Sequence, residues 1–71
     1  MIVRRSLNLG DLVNFHPQPW MQLREEDYGL GLIVELLWTE KRSAPQYRVW
    51  WPNYIHGSVK FVHEEEDLIQ V

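Results

Sequence analysis

Polar and apolar positions alternate along this chain in short runs, each cut off by turn-forming residues. Leu12-Val13-Asn14-Phe15 sets Val13 and Phe15 on one face and Asn14 between them on the other, the period of a β-strand. His16-Pro17-Gln18-Pro19 ends that run, because proline cannot donate to a sheet ladder and restricts the residue before it. Trp20 to Tyr28 is polar, with Arg24, Glu25, Glu26 and Asp27 in a row, and reads as a long loop. Gly29-Leu30-Gly31 opens a second strand running through Trp38, apolar on both faces apart from Glu35. β-branched Ile33 and Val34, the upstream glycines and the lack of a capping residue favour strand over helix there. The two glycines predict a bend or bulge at its start.

After a polar hairpin loop from Thr39 to Pro45, Gln46 to Trp51 alternates again. Tyr47, Val49 and Trp51 point one way, Arg48 and Trp50 the other. Pro52-Asn53 and His56-Gly57 bound a turn, and Ser58 to Val62 is a fourth strand with Val59 and Phe61 inward. Glu64 to Asp67 predicts a single turn, and Leu68 to Val71 a last strand. Five short strands without a helical period predict an all-β, five-stranded small barrel over residues 9–71, preceded by an N-terminal arm over 1–8.

Composition narrows the chemistry. A chain of 71 residues makes one domain whose core supplies about 3–5 kcal/mol. No cysteine is present, so disulfides and thiolate metal sites are excluded. No apolar run approaches signal-peptide or membrane-span length, so neither export by a signal peptide nor membrane insertion is expected. A net charge of −3 weighs against general nucleic-acid binding, which draws its affinity from Lys and Arg on phosphates. Four tryptophans are more than so small a core can bury, so at least one is expected at the surface.

The order Gly10-Asp11-Leu12-Val13, Gly29-Leu30-Gly31-Leu32-Ile33-Val34-Glu35, Tyr47-Arg48-Val49-Trp50-Trp51-Pro52 and Glu66-Asp67-Leu68 resembles SH3-like barrels of the KOW, Tudor and PWWP kind. It is most similar to small bacteriophage proteins that are little more than one such barrel. The enlarged loop from His16 to Tyr28 departs from that pattern. The resemblance implies a small virion component, an accessory piece of a head, neck or tail, located in the virion or the host cytoplasm. Its partners would be other protein chains or further copies of itself.

Trp51 is read as core, and Trp50 as interface or as cover for the second sheet face. At least one of Trp20 and Trp38 is expected over the open end of the barrel. Trp50, Arg48 and Tyr54, with Trp20 and Trp38, are the candidate partner-binding residues, since hot spots favour Trp, Tyr and Arg. An aromatic cage of Trp50, Tyr54 and Glu35 is a sharper reading. The alternative is a nucleic-acid module using Arg4, Arg5, Lys41, Arg42, Arg48 and Lys60 on phosphates, with Trp50 or Tyr54 stacking on bases. His16, His56 and His63 are isolated, and the run from His63 to Asp67 reads as a solvated turn rather than a metal site. No serine sits in a nucleophile elbow and Gly29-Leu30-Gly31 is no phosphate loop, so neither catalysis nor a cofactor is expected.

Overall fold

The computed structural model describes residues 7–37 and 45–71. The chain is built on five antiparallel strands: β1 (Leu12–Phe15), β2 (Leu30–Leu37), β3 (Gln46–Trp51), β4 (Val59–Glu64) and β5 (Leu68–Gln70). They form one sheet in the order β4-β3-β2-β1-β5. Two one-turn 3-10 helices, Glu25–Asp27 and Glu65–Asp67, are the only helical pieces among the described residues. The expected closure into a barrel is not seen: β4 pairs with β3 and β5 with β1, and no ladder joins β4 to β5 among the described residues.

The alternation of β3 decides which face is inside. Tyr47, Val49 and Trp51 are fully buried, together with Val13 and Phe15 of β1 and Ile33 of β2. Tyr28, Leu68 and Leu7 complete the core, so Leu7 of the expected N-terminal arm packs into the domain. Gly31 faces the same core. A Cβ there would lie 2.6 Å from Trp51 Cζ3 and 2.7 Å from Val49 Cγ1. The indole therefore lies against bare backbone, and only glycine permits that approach.

The irregularity in β2 sits at Val34, between the pairs Ile33↔Val49 and Glu35↔Arg48. It is not at the glycines where a bend was expected. Strict alternation from the buried Ile33 would turn Glu35 into the core. One extra residue shifts the phase and sends Glu35 outward to Arg48, at 2.7 Å from Nε to Oε1. Gly10 (φ 86°) makes the turn into β1, where Asp11 N–H donates to Asn8 O and Asp11 Oδ2 accepts from Asn8 N–H.

β4 runs to Glu64, two residues past the expected end, so the phase of Val59 and Phe61 continues to His63. His63 is 9% exposed, and Asp67 equally so; the reading of this run as wholly solvated is corrected at both.

Candidate interaction site

The sheet face opposite the core carries a row of apolar side chains. Leu12, Leu32 and Trp50 are register partners across β1, β2 and β3, and Lys60 of β4 ends the row. Val71 adjoins Leu12, to whose carbonyl its N–H donates at 2.9 Å. Leu30 and Ile69 flank the row as partners of Asn14. Trp50 is 37% exposed, and Leu12, Leu30, Ile69 and Val71 are more so. Facing residues on neighbouring strands touch, so these form one contiguous patch. Arg48 lies on this face beside Trp50, held by Glu35.

The core side carries a cluster of rings. Phe15 stacks on Tyr28 with centroids 4.1 Å apart, and Tyr28 meets Trp51 edge-on at 5.2 Å. Tyr54 packs against Tyr28 and Phe61. His63 closes the cluster: Trp51 Nε1–H donates to its Nε2 at 3.1 Å, which places the imidazole proton on Nδ1. Burial lowers the His63 pKa, and the Asp67 carboxylate opposes that shift. Burial, with Tyr54 and Asp27 nearby, raises that of the Tyr28 hydroxyl.

Beside this cluster a furrow runs along β4. One cleft of about 270 Å³ is bounded by Met21 and Leu23 of the long loop, by Phe61 and Val62 of β4, and by His63 and Asp67 beneath. A second, of about 400 Å³, continues past Met21, Val62 and Asp67 to Trp20, Glu64 and Glu66. The loop wall is anchored by Gln18 Nε2–H donating to Glu66 O at 3.2 Å and by His16 N–H donating to Asp67 O at 2.7 Å. Among the described residues no Lys or Arg lines either cleft.

The expected contact residues thus divide. Trp50 and Arg48 share the outer face, whereas Tyr54 belongs to the ring cluster on the core side, so the three do not form one patch. The cage of Trp50, Tyr54 and Glu35 fails for the same reason, and Glu35 is already engaged by Arg48. Trp20 does not cover the end of a barrel: it is 75% exposed at the furrow's rim. Trp38, Arg4, Arg5, Lys41 and Arg42 lie outside the described residues. Of the remaining cations, Arg48 is paired with Glu35 and Arg24 with Glu26, while Lys60 has no ion pair among the described residues. Sequence reasoning missed the furrow: its acids come from a run read as a solvated turn whose one role would be an acidic patch facing a basic partner, and its loop wall had no period to read. Among the described residues no group of three or more His, Cys, Asp or Glu is placed to hold a metal ion, and no helix is long and apolar enough to cross a membrane. No protein-family model, no curated protein and no solved structure matches the chain.

Proposed function

We propose that this chain is a non-enzymatic protein-interaction module, a small part of a larger assembly. The observation that carries the reading is the contiguous apolar patch of Leu12, Leu32, Trp50 and Val71 on the outer sheet face. A soluble monomer rarely leaves such a surface bare, and patches of this kind mark contact sites. The SH3-like reading of the fold belongs with this proposal. It is supported by the Gly-Asp turn into β1 and by the one-turn helix that delivers Leu68 to β5. The similarity to small phage barrels makes a virion accessory piece of the head, neck or tail the assembly of first choice.

The test combines location with surface chemistry. Leu32→Glu with Trp50→Glu should leave a cooperative melt, because both side chains point away from the core, yet should remove the chain from purified particles. Incorporation equal to that of the unmodified chain, or absence of the unmodified chain from particles altogether, would overturn the proposal.

A further inference from the structure

β4 is an edge strand. Its inner side is satisfied by β3 from Gln46↔Glu64 to Trp51↔Val59, and no strand among the described residues pairs with its outer side. Proteins usually blunt such edges with proline, bulges or inward charges. β4 has no proline and no bulge, and Lys60 is its one cation. The furrow adjoins this edge at Phe61, Val62 and Glu64. An unpaired ladder beside a ready-made cleft is the arrangement by which an extended segment adds itself as a further strand, with main-chain hydrogen bonds giving affinity and side-chain pockets giving selectivity.

The chemistry of the furrow names the segment. Its inner part is apolar, with Phe61 on one wall and Met21 and Leu23 on the other. Its outer part carries Glu64 and Glu66 beside the exposed Trp20, with no Lys or Arg among the described residues that line it. His63, held neutral by burial, adds no charge. A cation placed there meets carboxylates and an exposed indole together, two attractions that reinforce each other. The geometry points to an extended segment of another protein that alternates apolar residues with Lys or Arg, paired to the outer edge of β4, its apolar side chain beside Phe61 and its cation between Trp20 and Glu64. This goes beyond the proposed function: it uses the open edge of β4 and does not need the row of Leu12, Leu32 and Trp50.

The experiment titrates the full chain, followed by amide NMR, with three synthetic peptides: alternating Lys-Val, alternating Glu-Val, and a proline-rich sequence. The Lys-Val peptide should shift and protect the β4 amides, and binding should weaken as salt rises from about 0.05 M to about 0.5 M. N-methylation of its alternate amides should abolish binding. Trp20→Ala and Glu64→Gln with Glu66→Lys should fold normally, since all three positions are exposed and Gln keeps a side-chain acceptor for the cap of the Glu65–Asp67 turn, while weakening the complex about tenfold or more. The Leu32→Glu, Trp50→Glu chain should bind the peptide undiminished, which keeps this result apart from the fate of the outer face. The proposal is overturned by equal binding of the Glu-Val peptide, preference for the proline-rich one, or unchanged affinity in those Trp20 and Glu64/Glu66 variants. It is equally overturned by a single-stranded oligonucleotide displacing the peptide, by a dimer in which a second copy covers β4, or by no shift at about 1 mM peptide.

Discussion

Trp51 and His63 share a hydrogen bond that ties the innermost indole to the edge strand. Only a neutral imidazole can accept it. The folded His63 therefore has a lowered pKa, and the unfolded chain binds a proton more readily. The unfolded state then holds more protons, so stability is full above the ordinary histidine value of about 6.5 and falls as pH drops below it. The melting temperature should decline from pH 7 to pH 5, and His63→Gln should flatten that slope; an unchanged slope would show that His63 is not the group responsible. At Gly31 the prediction is steric. Gly31→Ala drives a methyl against Trp51 and Val49 and should cost about 1–3 kcal/mol in urea unfolding. Phase along Gln46–Trp51 made Trp51 legible as core and Trp50 as surface. Trp51→Ala should accordingly cost about 3–5 kcal/mol and leave no stable fold, while Trp50→Ala keeps it. His63 was not legible, because the acidic run after it pointed to solvent and only two further residues of β4 bring it onto the core phase.

At the scale of elements, β1 and β3 are found where the alternation set them, since a polar residue, Asn14 in β1 and Arg48 in β3, separates the buried positions and fixes the phase. β2 was legible as a strand but not in its register. A run apolar on both sides carries no phase, and the extra residue at Val34 follows from what Glu35 and Arg48 need. Deleting Val34 should make Ile33↔Val49 and Glu35↔Arg48 directly consecutive, leave Glu35 pointing outward and keep a cooperative thermal transition; loss of that transition would show that the bulge does more than set the phase of Glu35. The Glu35–Arg48 pair itself is exposed on both sides. Glu35→Ala should therefore cost no more than about 0.2–1 kcal/mol, with the loss screened by salt. The same deletion and substitution, compared by circular dichroism melts, separate the geometric role of the bulge from the weak attraction that follows it.

Across the whole molecule, one sheet carries three kinds of surface: a packed aromatic core, an apolar outer face and an acidic furrow at one edge. The all-β class was legible from spacing alone. That the sheet stays open was not, since pairing between the two edge strands of a sheet has no local signature, present or absent. The grouping of Trp20 with Glu64 and Glu66 was equally hidden, for it depends on two hydrogen bonds that pin a loop without any period to Glu66 and Asp67. The lone attachment of β5 has a consequence for how the molecule breathes. β3 is laced along all six of its positions to β4, whereas β5 is held by β1 through three register partners and, among the described residues, by no second strand. Amide protons of Ile69 and Gln70 should thus exchange with deuterium through brief detachment of the final strand, and those of Val49 and Trp50 only when the entire chain opens. Each such detachment lifts the Leu68 side chain out of the interior, so the C-terminal strand is the hinge-pin whose withdrawal starts the domain's dissolution.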